Sequence, residues 1–204
     1  MRNHILMLSV ILCLSMLFAF PVSAAATDVD VYVTPKGTVI DVSIETDGAI
    51  GALQGAISYD SDKIEYDAAA LDDGISAYNA VGNSFKNSNG ITRVALVGDS
   101  SSGTENEWAR VTYSAEENTP AAFELNGFKA FNVDGTAADA VFTVVVLGDA
   151  NGDNLVNLKD YVKYKKVLAI GESYSVNAKN LDLDKSGTEN EYDMVVLRRS
   201  VVFG

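Results

Sequence analysis

The sequence predicts a mainly β fold, an antiparallel jelly-roll sandwich, followed by a small all-α module. Two observations support this prediction. Between residues 28 and 147, short β-rich segments are separated by turn residues. Between residues 148 and 204, a twelve-residue polar loop followed by an amphipathic segment occurs twice. We therefore expect a leader over residues 1–24, a sandwich over 28–147 and a helical module over 148–204.

The first 24 residues predict a secretion signal. Arg2 and His4 precede an apolar run over residues 5–20, and small residues follow from Ser23 to Ala26, as signal peptidase cleavage requires. The apolar run is short for a membrane-spanning helix. We therefore expect a secreted protein, extracellular or held at the cell surface through its partners.

Loss of this leader would remove the one histidine, His4, and the one cysteine, Cys13. The rest of the chain then cannot form a Ser-His-Asp or Cys-His mechanism, a histidine-ligated zinc site or a disulfide. The formal net charge would move from −13 to −14, because Arg2 is the only charged residue lost. A chain this acidic is a poor candidate for binding nucleic acid or anionic membranes.

Seven segments of the first module predict strands. From Val39 to Glu45, polar residues alternate with apolar ones, which gives one polar and one apolar face. Turn residues such as NSNG at 87–90 separate the segments. Together they predict an antiparallel sandwich of about 120 residues. The segments are VDVYVTP, TVIDVSIET, ALQGAISYD, ITRVALVGD, WARVTYSA, AAFELNGFKAFN and AVFTVVVL.

Residues 149–160 and 182–193 share one spacing of oxygen-bearing side chains. These stand at positions 1, 3, 5, 9 and 12 of each loop, which is the spacing of an EF-hand-type Ca²⁺ loop. Position 7 of such a loop contributes its main-chain carbonyl oxygen. The alternative is a pair of solvated acidic turns. The predicted ligands of two Ca²⁺ ions are Asp149, Asn151, Asp153, Leu155, Asn157, Asp160, Asp182, Asp184, Ser186, Thr188, Asn190 and Asp193.

The two loops differ at two positions. Position 6 is Gly187 in the second loop and Asn154 in the first, a mild change because Asn tolerates left-handed backbone conformations. Position 8 is Val156 in the first loop and Glu189 in the second. We expect the second site to be looser or weaker for that reason.

The segments that follow the loops, Asp160 to Ile170 and Asp193 to Phe203, align position by position. Each predicts an amphipathic helix that packs on its twin, with a basic pair on its flank. The basic pairs are Lys165-Lys166 and Arg198-Arg199. The aligned apolar positions are Val162 with Val195, Tyr164 with Leu197, Leu168 with Val201, and Ile170 with Phe203.

This duplicated loop-helix unit resembles the dockerin module of cellulosome-type assemblies, from Leu147 to the C-terminus. The resemblance implies a Ca²⁺-dependent module that binds the cohesin of a scaffold protein. It also implies contacts at loop positions 10 and 11 and along the helices, although the basic pairs could equally form a solvated helix face. The implied contact residues are Leu158, Lys159, Lys165, Lys166, Ile170, Glu191, Tyr192, Arg198, Arg199 and Phe203.

A second resemblance lies in the first module. The stretch IGALQGAISYDSDKIEY, residues 50–66, is similar to cohesins, in which a strand ends in Tyr-Asp and a short turn precedes an apolar-Glu-aromatic step. The downstream segments NGITRVALVGDSSSG and EWARVTYSA follow in the family's order. The resemblance implies a dockerin-bearing partner on the sheet face that includes residues 53–58 and 91–98. Where the family offers Asn and Asp, this chain has Ala52 and Gln54, which implies a divergent partner or none.

Together the resemblances imply a non-catalytic adaptor of a cellulosome-like polysaccharide-degrading complex. An alternative is a carbohydrate-binding sandwich that the helical module docks to the complex. Trp108 could stack on a sugar ring, but its apolar strand neighbours favour a core position. A third hypothesis is a small glycosidase that uses paired carboxylates such as Asp60 or Glu65, which no catalytic motif supports.

Overall fold

The structure is a computed structural model that describes residues 26–46, 50–67, 80–98, 107–173 and 175–203. The leader predicted over residues 1–24 lies outside the described residues. None of the helices in the described part of the chain is long and apolar enough to cross a membrane.

Within the described residues, nine strands form two sheets. One sheet has five strands in the order β4-β7-β2-β1-β9, and the other has four in the order β5-β6-β3-β8. The predicted sandwich is confirmed, with β4 and β5 added to the seven predicted segments. Its pairing is antiparallel as predicted except between β1 and β9, which are parallel. The strands are β1 (Thr27–Lys36), β2 (Val39–Thr46), β3 (Ala52–Tyr59), β4 (Ile64–Tyr66), β5 (Ala80–Ser88), β6 (Ile91–Gly98), β7 (Glu107–Ala115), β8 (Phe123–Phe131) and β9 (Ala140–Val146).

The core lies between the two sheets and follows the period-two alternation of the strands. Val29, Val31 and Val33 of β1 are fully buried. The Tyr113 side chain of β7 is also fully buried, and its hydroxyl donates to Oγ1 of Thr92 in β6 at 2.9 Å. Burial raises the pKa of the Tyr113 phenol, and the hydrogen bond offsets the cost of burying this polar group. The hydrogen bond between Tyr113 and Thr92 connects the five-stranded sheet to the four-stranded one.

Two helices and a short 3₁₀ helix form the C-terminal module. They are α1 (Leu158–Ile170), the 3₁₀ helix (Ala178–Leu181) and α2 (Glu191–Phe203). Both α-helices begin two residues before the predicted starts, because the last loop residues already form the first helical turn. Tyr164 and Leu197 are fully buried in one cluster with Ala150 and Leu181.

One part of the helix prediction is wrong. Of the aligned apolar pairs whose burial the structure describes for both members, two pack inward: Tyr164 with Leu197 fully buried, and Leu168 with Val201 partly buried. Val162, Val195 and Ile170 are exposed. An apolar stripe in the sequence cannot distinguish a packed helix face from an exposed one.

The two modules pack directly against each other. The chain passes from β9 into the C-terminal module at Leu147, whose N–H donates to the carbonyl of Val33. A second hydrogen bond joins the modules just before β8, where the N–H of Ala121 donates to the carbonyl of Asn154 at 2.7 Å. Gly148 has φ +93°, and a Cβ there would lie 2.9 Å from Val156 and 3.0 Å from Leu197. Close packing at this position therefore requires glycine.

Two lysines of the C-terminal module, which we call the clamp lysines, lie on the outer face of the five-stranded sheet. Lys179 Nζ is 3.0 Å from Asp28 and 2.7 Å from Asp30. Lys185 pairs with Glu45, and its Nζ lies 4.0 Å from the ring centroid of Tyr32, a cation–π contact. Burial, together with the charge of Asp30, raises the pKa of Tyr32 to about 12. The acidic outer face of this sheet thus holds the helical module.

The clamp yields a testable prediction. Lys179→Met removes the ammonium beside the buried Asp30 carboxylate, and we expect the free energy of unfolding at pH 7 to fall by about 1–2 kcal/mol. Burial already raises the pKa of Asp30, against the opposing charge of Lys179, so the variant should raise it further. A carboxyl with a higher pKa in the folded state binds more protons when folded, so stability falls as pH rises through that pKa. The deficit, measured by chemical denaturation in Ca²⁺, should therefore shrink as the pH is lowered.

Two controls accompany this measurement. Lys36→Met removes an ion pair with Asp41 whose lysine is well exposed, and it should change stability by less than about 0.5 kcal/mol. Asp30→Asn, added to Lys179→Met, should recover most of the loss because no unpaired charge then remains buried. An equal loss of stability in the single and double variants would contradict the claim that Lys179 stabilises the protein through the charge of Asp30.

Candidate metal centres and docking faces

The first loop is curled around the carboxylate of Asp149. Its Oδ1 accepts from the N–H of Gly152 at 2.7 Å and its Oδ2 from the N–H of Asn154 at 2.9 Å. Asp160 closes the loop, since its Oδ2 accepts from the N–H of Asn157 at 2.9 Å and its Oδ1 from the N–H of Ala150 at 3.1 Å. Positions 1 and 12 are thereby held by the main chain of their own loop.

The second loop repeats this geometry. Asp182 Oδ2 accepts from the N–H of Gly187 at 2.7 Å, the bond that Asn154 makes in the first loop. Asp193 Oδ2 accepts from the N–H of Asn190 at 2.9 Å, and its Oδ1 accepts from the N–H of Asp184 at 3.1 Å. Asp160 and Asp193, the residues at position 12, are both fully buried. The two copies therefore agree in hydrogen bonds as well as in spacing.

Each loop brings three carboxylates together. One oxygen each of Asp149, Asp153 and Asp160 lies within 4.8 Å of the others, and the same holds for the second loop's trio of Asp182, Asp184 and Asp193. Burial, with the nearby charge of Asp149, raises the pKa of Asp160. A cation among these oxygens would offset both effects. The oxygen-only donor sets suit a hard cation such as Ca²⁺.

The structure also bears on the two positions where the loops differ. Asn154 has φ +60° and Gly187 has φ +87°, so Asn takes the same left-handed turn, as predicted. Val156 packs against the cores of both modules. Glu189 instead lines a cleft of about 260 Å³ between the modules, together with both clamp lysines. An acidic residue at position 8 therefore lies beside the cations of the clamp.

The predicted contact residues of the helices share one property, which is exposure. Ile170 is 76% exposed, Tyr192 61% and Leu158 59%, far above what a packed helix face shows. The side chain of Phe203 lies outside the described residues. The other exposed members of this set, which we call the helix face, are Lys159, Lys165, Lys166, Glu191, Arg198 and Arg199.

The outer face of the four-stranded sheet is also exposed. Register places Gln54 between Ala95 of β6 and Lys129 of β8, and it places Ala56 beside Arg93. Gln54, Ala95 and Lys129 are exposed. We call this surface the sheet face. The two strands that the cohesin resemblance pointed to, β3 and β6, are neighbours in it.

Trp108 does not lie on a sugar-binding surface. It is 6% exposed and belongs to the sandwich core. A Cβ on Gly98 would lie 2.4 Å from its ring, so the indole packs closely against the β6 backbone at this glycine. Tyr59 and Tyr66 pack edge-on against Tyr113.

Two features were not predicted from the sequence. The clamp lysines carry no local signal, because Lys185 stands at loop position 4, which supplies no ligand, and their partners lie about 140 residues or more away along the chain. The basic residues of the sheet face did leave a signal, since Arg93 stands at a polar position of an alternating strand.

Comparison with known proteins agrees with the dockerin resemblance. Residues 147–202 match the sequence model of the family described as dockerin type I domain. The match includes both loops and nearly all of both helices, and it confirms the prediction for the C-terminal module. No curated protein matches the chain.

Similar solved structures are cohesins, and they align with the N-terminal part of the chain. The sixth cohesin of scaffoldin B from Acetivibrio cellulolyticus, in complex with a dockerin, has 16% identity and a TM-score of 0.47, covering 60% of this chain and 99% of its own. A non-cellulosomal cohesin from Archaeoglobus fulgidus has 16% identity and a TM-score of 0.44, covering 59% and 92%. The cohesin module of a Clostridium perfringens family 33 glycoside hydrolase has 11% identity and a TM-score of 0.41, covering 58% and 96%.

The position of Trp108 yields a second prediction. It is the only tryptophan of the chain, so it reports alone in fluorescence. We expect blue-shifted emission, weak quenching by acrylamide and no change on adding cello- or xylo-oligosaccharides, because the indole is buried. A saturable shift with an oligosaccharide would instead support the carbohydrate-binding alternative.

Proposed function

We propose that this protein is a secreted, non-catalytic adaptor of a polysaccharide-degrading complex. Its helical module binds the cohesin of a scaffold protein, and its sandwich binds a dockerin-bearing protein. One observation carries the proposal: the modules pack through the loop side of one and the five-stranded sheet of the other. The helix face and the sheet face are therefore both left exposed on the same molecule.

The helical module would bind two Ca²⁺ ions, one in each loop. Each loop offers side-chain oxygens at positions 1, 3, 5, 9 and 12 and the carbonyl of position 7, which supplies the six to eight oxygen ligands that the ion requires when a carboxylate binds through both oxygens. The buried carboxylates of Asp160 and Asp193 need positive charge nearby. Metal binding and folding of this module should therefore be coupled.

The helix face would contact the scaffold cohesin. Its two halves share a basic pair but differ at loop positions 10 and 11, which are Leu158-Lys159 in one and Glu191-Tyr192 in the other. Because the loop-helix unit is duplicated, a partner could bind the helix face in either of two orientations. A partner that contacts all of these positions would bind more tightly in one of them. We propose that one orientation is preferred.

The enzymatic alternative receives no support from the residues first considered for it. Asp60 is exposed and pairs with Lys63 at 2.8 Å. The hydrogen bond from Lys63 lowers the pKa of Asp60, whereas a glycosidase's general acid needs a raised pKa.

The first test of the proposal concerns Ca²⁺. Titration calorimetry of chelator-treated protein should detect two sites. Asp153→Ala should weaken one of them by roughly 10- to 100-fold or more and leave the other, and Asp184→Ala should do the converse. Both side chains are exposed, so their loss should disturb packing little.

Asp134→Ala serves as the matched control, because Asp134 is an exposed acid in the turn before β9. It should leave both sites unchanged. Chelation of the wild type should reduce the helical circular dichroism and retain the β signal, since the ion stabilises only the helical module. A helical signal that does not respond to chelator would contradict the coupling.

The second test concerns the helix face. Lys165→Glu with Lys166→Glu should abolish capture of scaffold cohesins, because both lysines are exposed on that face, and it should leave Ca²⁺-dependent folding intact. The measurement is a pull-down from secreted proteins of the source organism, in Ca²⁺ and in chelator, with bound proteins identified by mass spectrometry. Lys36→Glu with Lys63→Glu is the matched control. Unchanged capture by the first variant would exclude this face.

The same pull-down tests the sandwich. Recovery of dockerin-bearing proteins, reduced when the bulky side chain of Gln54→Trp obstructs the sheet face, would support the adaptor. Failure to recover any would favour the carbohydrate-binding alternative, which retention on cellulose or xylan would then establish.

A further inference from the structure

The basic residues of this acidic protein fall into two groups. Six form ion pairs with acids of the chain: Lys36, Lys63, Arg110, Lys163, Lys179 and Lys185. Apart from Arg2 of the leader, eight others form no ion pair within the part of the chain that the structure describes. All eight lie on the two exposed docking faces: Lys86, Arg93 and Lys129 on the sheet face, and Lys159, Lys165, Lys166, Arg198 and Arg199 on the helix face.

Two of the three basic residues of the sheet face are direct neighbours. Lys86 is the direct register partner of Arg93, and Arg93 is in turn the partner of Ala56. Lys129 pairs with Gln54, in the next row. Directly opposed residues of an antiparallel pair have Cβ atoms about 4.5–5.5 Å apart. Like charges so placed destabilise the sheet, which makes them unexpected unless they serve a partner.

Acidic residues are scarce on both faces. Among the described residues, the sheet face carries one acid, Glu124, which is opposite Ser58. The helix face also carries one, Glu191, because Asp160 and Asp193 of the same helices are buried. Both faces are thus net basic in a chain whose formal charge is −13.

We propose that the sheet face accepts an acidic helix face of a dockerin-bearing protein and rejects the basic helix face of this chain's own copies. The inference rests on the proposed function, in which the sheet face is the receiving surface. A chain that carries both a helix face and a sheet face can polymerise head to tail when the two surfaces bind each other. Like charge on both surfaces opposes that contact, while opposite charge accelerates encounter with the intended partner.

The test uses full chains with reversed faces. The helix-reversed variant carries Lys165→Glu, Lys166→Glu, Arg198→Glu and Arg199→Glu, and the sheet-reversed variant carries Lys86→Glu, Arg93→Glu and Lys129→Glu. Wild-type chain is immobilised for surface plasmon resonance in Ca²⁺. Injected wild type should not bind it. Injected helix-reversed chain should bind, with a dissociation constant at least ten-fold below the highest concentration at which the wild type shows no binding, and its association rate constant should fall at least ten-fold from 50 to 500 mM NaCl.

Immobilised sheet-reversed chain completes the cycle. This surface should bind the wild type and should not bind the helix-reversed chain, because its sheet face is acidic instead of basic. Lys36→Glu with Lys63→Glu, immobilised as the matched control, should behave as the wild type. Circular dichroism verifies folding, and Lys86→Gln, Arg93→Gln and Lys129→Gln replace the reversal if it unfolds the sandwich. Helix-reversed chain that binds no better than wild type, or that binds the sheet-reversed surface equally, would overturn the proposal.

The dockerin-bearing proteins recovered in the pull-down separate this inference from the proposed function. Acidic residues at their helix positions equivalent to Lys165, Lys166, Arg198 and Arg199 support it. Basic residues there overturn the charge inference and leave the adaptor intact, whereas recovery of none fails the adaptor itself. Retention of wild type on polygalacturonate, lost in the sheet-reversed variant while dockerin capture is unchanged, would assign the face to an anionic polysaccharide and overturn the proposal.

Discussion

Two buried carboxylates determine the shape of the C-terminal module. Asp160 and Asp193 close the loops and also cap the helices, since each accepts the N–H of the residue three positions before it. Buried carboxylates are costly without compensating charge. The main-chain N–H groups compensate only in part, because the pKa of Asp160 remains raised by burial and by Asp149. In the proposed Ca²⁺-bound module, helix formation, loop closure and cation binding would therefore be coupled.

The loops that hold the carboxylates also attach the module to the sandwich. The carbonyl of Asn154, at position 6 of the first loop, accepts from Ala121, and Lys185, at position 4 of the second, reaches Glu45. The ligand side of the module therefore faces the acidic sheet, and the helix side faces outward. The total charge of the chain does not reveal this arrangement. Among the described residues, Asp28, Asp30 and Glu45 of the five-stranded sheet pair with lysines of the helical module, and the basic residues without an ion pair lie on the helix face and the sheet face.

Local patterns predicted most of the fold and the candidate metal centres. The alternation from Val39 to Glu45 and the spacing from Asp149 to Asp160 are properties of adjacent residues, so they are visible in the sequence. The exposure of Val162 and Val195 was not predictable, because the orientation of each helix about its axis decides which of its apolar residues face the core. The contact of Lys179 with Asp30 joins residues 149 positions apart, and no periodicity encodes such a contact.

The parallel pairing of β1 with β9 has a mechanical consequence. The pairing runs from Thr27 opposite Ala140 to Val33 opposite Val146, and the chain leaves β9 directly into the helical module. In the proposed assembly, tension between the anchored helices and a cargo on the sheet face would pull β9 along its own axis. The evenly spaced bonds of a parallel pair would then be loaded together in shear instead of opening one after another. The seven residue pairs between β1 and β9 would then share the load on the connection between the modules.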